Sequence, residues 1–164
     1  MDLYIIRHAW AGQFGDPQWP DDRLRPLTPE GRQRFARMIE QLAARGFAPQ
    51  LVATSPMLRC RETAEIVAAS SADAPQVIAI DALLPGGDVD ELAEWTARQA
   101  RRHEQIAWVG HAPDVGRLAA ALIGDGDAWL HFSKGAVAAV RFDGPPQLGA
   151  GELRWLVTAK LLDC

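Results

Sequence analysis

The sequence predicts one α/β domain, spanning residues 1–164, with a mainly parallel, doubly wound sheet and an antiparallel edge strand. Short apolar runs alternate with amphipathic stretches from residue 3 to about residue 124, which is the pattern of strands joined by crossover helices. The last two strand-like runs are joined only by a turn-rich stretch, so they should pair antiparallel at an edge. A length of 164 residues suffices for one core, and no linker or repeat divides it.

The predicted strands are short runs of apolar, β-branched and aromatic residues bounded by turn-forming residues. The first of them begins almost at the N-terminus and is apolar throughout, which is typical of a strand buried on both faces. In chain order, the six strands are expected at residues 3–6, 51–54, 76–80, 105–109, 136–142 and 152–158.

The predicted helices are recognised by start and stop signals around segments of helical periodicity. Each helix begins with a residue that suits the N-cap, with a proline that suits the first helical position, or with both. Two of them end at a glycine. The starts are Thr28-Pro29, Ser55-Pro56, Asp88 with Glu91 as a capping-box-like pair, and Pro113, and the glycines are Gly46 and Gly124.

The composition excludes several classes of function. A formal net charge of -4 argues against general nucleic-acid binding. The longest apolar runs fall far short of the ~20 residues that span a bilayer, and no signal peptide is visible, so no membrane association is expected. Cys60 and Cys164 have neither metal-like spacing nor an obvious disulfide partner. We therefore expect a cytoplasmic protein.

Three strand-to-helix junctions carry the residues expected to do chemistry. The first holds Arg7 and His8, the second Arg59, and the third His111. In a doubly wound sheet these junctions lie at one edge, so the side chains can converge on a dianionic phosphoryl group. Arginine offers a planar fork of donors that matches phosphate oxygens, and helix N-termini add unpaired N–H groups. Since no acidic cluster or phosphate-binding glycine loop is present, we expect neither metal nor cofactor, with the arginines in their place.

Four short motifs, in order along the chain, then reveal a resemblance to a known family. They are R-H-A at 7–9, R-P-L-T at 25–28, S-P-M-L-R at 55–59 with Thr63 following, and G-H-A-P at 110–113. Together they resemble the motifs of the histidine phosphatase superfamily, and most of all its short SixA-type phosphohistidine phosphatases. The resemblance runs from residue 3 to about residue 142. It implies a phosphoglycerate mutase-like fold.

The resemblance also implies catalytic roles. His8 would be the nucleophile, forming a phosphohistidine intermediate that water hydrolyses, and it must be neutral to attack. A reference pKa near ~6.5 makes that state accessible. Arg7, Arg59 and His111 would hold the phosphoryl oxygens and stabilise charge in the transition state. We expect His111 to be more useful as a cation.

Other polar residues near the motifs are weaker candidates. Asp22 and Arg25 match a D-x-x-R-P-L-T segment that SixA-type proteins place beside the pocket, although Asp21 and Arg23 compete for the same roles. Ser55, at the head of the second helix, is also expected to bind substrate. The remaining histidines match no motif and are interpreted as structural or surface residues; they are His103 and His131.

The sequence departs from the wider superfamily in two places. Ala9 stands where glycine is commoner, which excludes conformations that only glycine adopts. The phosphoglycerate mutase-like members carry a glutamate after the third strand as general acid, but residues 81–88 contain none. Asp88 is the nearest candidate for that role, and its place at a helix N-cap explains it equally well.

The leading hypothesis is a phosphatase acting on phosphohistidine in a protein, such as a histidine-containing phosphotransfer domain. Two alternatives stay open: a broad phosphomonoesterase for small metabolites, and a non-catalytic module that binds phosphoproteins. The absence of a glutamate in residues 81–88 and of a long insertion that could form a lid count against the first alternative. The intact set of pocket residues counts against the second. The oligomeric state is not specified by the sequence, and we favour a monomer.

Overall fold

A computed structural model describes residues 1–71 and 74–164 and shows a six-stranded mixed sheet with helices on both faces. The strand order is β3-β2-β4-β1-β5-β6, in which β5 runs antiparallel to both of its neighbours and the other pairs are parallel. The predicted doubly wound sheet with an antiparallel edge is therefore confirmed. The elements are β1 (Asp2–Arg7), α1 (Pro29–Ala43), β2 (Leu51–Thr54), α2 (Leu58–Ala69), β3 (Gln76–Ala79), α3 (Val89–Gln99), β4 (Gln105–Gly110), α4 (Asp114–Leu122), β5 (Val137–Arg141) and β6 (Glu152–Val157).

The two faces of the sheet each support a separate hydrophobic core. Along β1, Leu3 and Ile5 belong to the core beneath α3 and α4, whereas Tyr4 and Ile6 belong to the core beneath α1 and α2. This alternation follows from the period-2 direction of strand side chains, and it explains why the first strand is apolar throughout. Within the described residues, no helix has the length and apolar character needed to span a membrane.

The order of the central strands determines where the site can form. β4 lies between β2 and β1, with Gly110 opposite Arg7 in one pairing and Val109 opposite Thr54 in the other. All three strands are parallel, so their carboxyl ends lie side by side at one edge of the sheet. The residues that follow β1, β2 and β4 are therefore neighbours in space. In open α/β sheets, ligands bind at this carboxyl edge of the strands.

Two of the predicted helix starts are confirmed, and two are wrong. Thr28 caps α1 by accepting a hydrogen bond from the amide of Gly31, and Asp88 caps α3. Ser55 does not cap α2, which begins only at Leu58, with Met57 in the N-cap position and no side-chain cap. The Ser55 hydroxyl accepts the amide of Met57 at 3.4 Å, before the helix, and lies 2.9 Å from Nε2 of His111. Pro113 lies one residue before α4 and its carbonyl accepts the amide of Arg117, so it is a cap residue rather than the first helical residue.

The long segment between β1 and α1, residues 8–28, is tied to α2. It contains a short 3-10 helix at Asp22–Leu24 and a single bridge between Ala11 and Leu27. The buried carboxylate of Glu62, on α2, accepts the amide of Leu27 at 2.6 Å and also pairs with Arg32 of α1. This anchor places the preceding 3-10 helix against the carboxyl edge of the sheet.

Candidate active site

The four residues expected to be catalytic come together at the carboxyl edge of the sheet, and we call Arg7, His8, Arg59 and His111 the pocket. The ring centroids of the two histidines lie 5.4 Å apart. Nη2 of Arg59 lies 3.4 Å from Nδ1 of His111, although 52 residues separate them along the chain. The side chain of Arg7 is half-buried at the end of β1, and its Nη1 donates to the carbonyl of Phe132 at 2.8 Å.

His8 is fixed in the form that a nucleophile needs. Its Nδ1 lies 2.8 Å from the carbonyl oxygen of Ala9, which can only accept, so Nδ1 carries the proton. Burial lowers the pKa of His8 to about 3. The hydrogen bond to Ala9 raises this pKa, and the positive charge of Arg59 lowers it. The ring is therefore neutral at pH 7, and its lone pair is on Nε2. This agrees with the expectation that His8 must be neutral to attack.

The backbone around His8 is held from two sides. The carbonyl of His8 accepts the amide of Gly135 at 3.1 Å. The amide of Ala9 donates to Oγ1 of Thr63 at 3.0 Å, and that hydroxyl in turn donates to the carbonyl of Arg59 at 2.7 Å. Thr63 thus links the histidine segment to the turn of α2 that carries Arg59, so the two side chains keep a constant relative position.

His111 is partnered at both ring nitrogens. Its Nδ1 faces the donor Nη2 of Arg59, so its Nε2 carries the proton and donates to Oγ of Ser55 at 2.9 Å. Burial lowers the pKa of His111 to about 4. The positive charge of Arg59 also lowers this pKa, and its effect is larger than that of Asp22, which raises it. His111 is therefore neutral at pH 7 in this structure, and the cationic form that we expected to be more useful stays a prediction for the complex with a phosphoryl group. Ser55 is fully buried, and its hydroxyl reaches the pocket only through His111.

Both pocket arginines carry an N–H group without a partner. Nε of Arg7 and Nε of Arg59 are buried and make no hydrogen bond within the part of the chain that the structure describes. Buried polar groups in proteins are almost always hydrogen-bonded, and an unpaired donor on a cation is especially costly. Two such donors beside a neutral histidine are suited to the oxygens of a phosphoryl group, which arginine binds in a forked geometry.

Asp22 and Arg25 lie beside the pocket, as the motif suggested. Oδ2 of Asp22 is 3.1 Å from Nη2 of Arg59, and Oδ1 accepts Nε of Arg25 at 2.8 Å. Burial raises the pKa of Asp22, but the hydrogen bond from Arg25 and the charge of Arg59 outweigh it and hold the pKa below its usual value. Asp22 is thus an ionised partner that orients Arg59. Arg25 is anchored as well, because Nη1 donates to the carbonyl of Gly12 at 2.8 Å.

Comparison with known proteins identifies the family. Residues 3–140 match the model of the histidine phosphatase superfamily, branch 1. This chain belongs to that superfamily. It is 30% identical over 158 residues to the phosphohistidine phosphatase SixA of Escherichia coli, an alignment that covers 94% of this chain and 92% of SixA. It is 34% identical over 144 residues to an uncharacterised protein of Picosynechococcus sp., covering 86% and 85% of the two chains.

The fold comparison agrees with the sequence comparison. A structure of the protein histidine phosphatase SixA in complex with tungstate superposes with a TM-score of 0.86 at 27% identity, covering 99% of each chain. The predicted phosphoglycerate mutase-like fold is therefore confirmed, and so is the resemblance to SixA. Family and fold together support phosphatase activity for this histidine phosphatase.

No general acid is visible in this histidine phosphatase at the position where the wider superfamily carries a glutamate. Asp88 is exposed, and one of its oxygens accepts the amides of Asp90 and Glu91 at 2.8 and 3.1 Å. The capping role explains this carboxylate fully. Asp81 is also exposed, at the start of a short 3-10 helix. Asp22, the carboxylate that does contact the pocket, is ionised and has no proton to donate.

Sequence reasoning missed several residues of this site. Gly135 and Phe132 hold His8 and Arg7 through backbone atoms, and a contact of this kind cannot be predicted from a pattern of side chains. Thr63 was noticed as part of a motif, but its bond to Ala9 could not be inferred from spacing. His131 is exposed, as expected, yet it lines a groove that begins at Arg7. Among the described residues, no three His, Cys, Asp or Glu side chains are grouped as a metal site would need.

Proposed function

We propose that this histidine phosphatase hydrolyses phosphohistidine on a protein, such as a histidine-containing phosphotransfer domain, through a phosphohistidine intermediate on His8. The observation that carries the proposal is the state of His8: neutral, protonated on Nδ1, and close enough to Arg59 and Arg7, whose Nε–H groups are unpaired among the described residues, for their charges to lower its pKa. Phosphoryl transfer needs little covalent machinery from the protein beyond a positioned nucleophile and stabilisation of charge. The pocket supplies both.

The reaction would proceed in two displacements. In the first, Nε2 of His8 forms a bond to phosphorus while the bond from phosphorus to the substrate imidazole nitrogen breaks, and that nitrogen takes up a proton from water. In the second, a water oxygen attacks phosphorus, the bond to Nε2 breaks, and inorganic phosphate leaves with neutral His8 restored. Arg7 and Arg59 hold the equatorial oxygens in both steps.

The lack of a glutamate in residues 81–88 favours phosphohistidine over phosphate esters as substrate. Expulsion of an alkoxide needs a proton donor, and general acid catalysis is typically worth ~10²–10⁴-fold. An imidazole leaving group has a reference pKa near ~6.5, so solvent can protonate it before or during cleavage. With Asp22 ionised and Asp88 occupied at the cap of α3, phosphohistidine is the substrate that this pocket can cleave without further help.

A comparison of substrates tests the proposal. We expect kcat/KM for a phosphohistidine protein to exceed that for a phosphoserine peptide or a sugar phosphate by at least ~10²-fold. Equal values would instead favour the broad phosphomonoesterase. Acid-labile phosphate should appear on the enzyme during turnover and be absent from His8→Ala. Binding without turnover of any of the three substrates would favour the non-catalytic module.

Two further proposals concern the conditions of catalysis. We propose that the reaction needs no metal ion, with Arg7 and Arg59 supplying the positive charge, so activity should survive exhaustive chelation. Loss of activity on chelation that a divalent ion restores would contradict this.

We also propose a cytoplasmic location, on the basis that Cys60 and Cys164 are free.

A further inference from the structure

Exposed apolar side chains are concentrated around the pocket. Within the described residues, five large apolar side chains are exposed, and three of them stand next to pocket elements. Phe14 lies under the guanidinium of Arg25, with 6.0 Å between ring centroid and Cζ, and Leu24 belongs to the 3-10 helix that carries Asp22. Trp129 is 81% exposed. Large apolar side chains in contact with solvent at one site are typical of a surface that binds another macromolecule.

Trp129 forms one wall of a groove of about 400 Å³ that begins at Arg7. We call this surface the Trp129 groove, and it is lined by Arg7, Pro113, Arg117, Trp129, His131 and Phe132 together with small and apolar neighbours. Arg7 belongs to both the pocket and the groove, and its bond to the carbonyl of Phe132 joins the two surfaces directly.

The groove is supported by α4. Gly116 has no side chain, and a Cβ added there would collide with the carbonyl oxygen of Leu130, so the glycine lets the Trp129 segment lie directly on the helix. Arg117 follows Gly116 in α4 and is exposed beside the same segment. Its Cζ is 5.8 Å from the ring centroid of Trp129. The indole and the guanidinium thus present one apolar and one cationic surface side by side.

The chemistry of the groove indicates its partner. Its lining contains two arginines and, among the residues that the structure describes, no carboxylate, on a chain whose formal net charge is -4. Tryptophan and arginine are the residues most enriched at the centres of protein interfaces, where they bind an apolar side chain and a carboxylate.

We propose that the Trp129 groove docks the segment of a protein substrate that lies next to the phosphohistidine. This segment presents a large apolar side chain to Trp129 and a carboxylate to Arg117. The inference rests on the proposed function and adds to it the surface and the chemistry by which the protein substrate is selected. The pocket cleaves the phosphorus–nitrogen bond of the phosphohistidine, and the groove selects the protein that carries it.

The test uses the full-length enzyme and three phosphohistidine substrates made by chemical phosphorylation. They are free phosphohistidine, a helical peptide with leucine and glutamate three and four residues after a single phosphohistidine, so that both lie on the same side of it, and the same peptide with alanine and lysine there. We expect kcat/KM for the leucine–glutamate peptide to be at least about tenfold above that for the other two, mainly through KM.

Variants then assign this preference to the groove. Trp129→Ala and Arg117→Ala should each raise KM for the leucine–glutamate peptide about fivefold or more, and change kcat/KM for free phosphohistidine less than about twofold. Arg117→Glu should reduce the preference for the leucine–glutamate peptide over the alanine–lysine peptide, because it repels the glutamate and attracts the lysine. Matched controls are Leu148→Ala and Arg98→Ala, which remove an exposed leucine and an exposed arginine away from the groove and should leave all three substrates unaffected.

The outcomes separate the two proposals. If wild-type enzyme hydrolyses all three substrates equally, or if the groove variants affect free phosphohistidine as much as the peptide, the docking proposal is wrong and the proposed function stands. If the wild-type enzyme hydrolyses no phosphohistidine, both are wrong. Sedimentation provides one more check: a dimer that Trp129→Ala abolishes would show that a second copy of this chain occupies the groove, which would overturn the proposal.

Discussion

The pocket and the Trp129 groove meet at Arg7, yet they are built in opposite ways. His8, Arg59 and His111 are between 4% and 8% exposed, and backbone groups or other buried side chains hold each of them. Trp129 is 81% exposed and has Arg117 as a close polar neighbour. The first surface is preorganised for one chemical group, which is what transition-state stabilisation requires. The second is open to solvent, as a surface for recognising a partner must be.

The two surfaces also differ in the origin of their positive charge. Burial keeps both pocket histidines neutral, with pKa values of about 3 and about 4, so the pocket's charge resides on its arginines alone. Arginine stays protonated in such surroundings, whereas histidine does not. In the groove, Arg117 is in contact with solvent, where screening reduces its effect on the pocket. Substitutions of like residues on the two surfaces should therefore have very different effects.

The largest difference is expected between the histidines of the two surfaces. His8→Ala should reduce kcat on free phosphohistidine at least ~10³-fold, since covalent catalysis is abolished. His131→Ala, in the groove, should change the same rate less than about twofold. Steady-state kinetics with inorganic phosphate release as the readout measures both. Near wild-type activity in His8→Ala would remove His8 from the mechanism.

A smaller difference is expected between the arginines. Arg59→Ala should cost at least ~2 kcal/mol of transition-state stabilisation, or about 30-fold in kcat/KM, because a charged donor to the phosphoryl group is lost. Arg117→Ala should leave kcat/KM for free phosphohistidine within about twofold of wild type. Equal losses in the two variants would mean that the groove takes part in the chemistry, and the distinction between the two surfaces would be wrong.

The same comparison explains what the sequence could predict. The pocket lies at strand ends, and strand ends follow from local patterns: apolar runs stop and Arg7, His8 and His111 come next. The caps of α1 and α3 were predicted for the same reason, because Thr28 and Asp88 bond to amides two or three residues away. A local rule succeeds when the partner of a side chain is near it in the chain.

Where the partner is distant, sequence reasoning failed. Ser55 looked like a helix cap, but its hydroxyl bonds to His111, 56 residues later, and α2 begins only at Leu58. The tautomer of His111 follows from Arg59, 52 residues earlier in the chain, whose Nη2 faces Nδ1. The neutrality of His111 depends on burial by several elements, which no motif reports. Trp129 lies in a segment without helix or strand periodicity, so its exposure beside Arg7 could be seen only in three dimensions.

A further prediction concerns the protonation of His111 on binding an anion. Tungstate, a tetrahedral dianion, should favour the imidazolium form and raise the pKa of His111 above its ligand-free value of about 4. At a pH between the pKa of His111 in the free protein and its pKa in the complex, binding of tungstate is accompanied by uptake of one proton by His111. The affinity for tungstate therefore falls as the pH rises. The expected slope is at most about tenfold per pH unit between pH 5 and 7. Isothermal titration calorimetry in two buffers of different ionisation enthalpy measures the proton uptake directly.

Two variants sharpen this prediction. His111→Gln should bind tungstate more weakly and without the proton uptake, because glutamine cannot take up a proton in this range. Ser55→Ala keeps the imidazole but removes the acceptor of its Nε2 proton, so it should reduce affinity and retain the pH slope. If His111→Gln keeps the wild-type slope, the proton is taken up elsewhere and His111 does not become cationic in the complex.

The smallest effect is expected at Asp88, the nearest candidate for a general acid in residues 81–88. Asp88→Asn should change phosphohistidine turnover less than ~10-fold, because general acid help is not expected from this residue and asparagine caps a helix about as well as aspartate does. Asp88→Ala should lower the free energy of unfolding by about 1 kcal/mol, through loss of the bonds to Asp90 and Glu91, and still leave the pocket active. Denaturant unfolding and turnover, measured on the same preparations, separate the two roles. A loss of turnover in Asp88→Asn at unchanged stability would show that this carboxyl group donates the proton, and esters would then become accessible substrates.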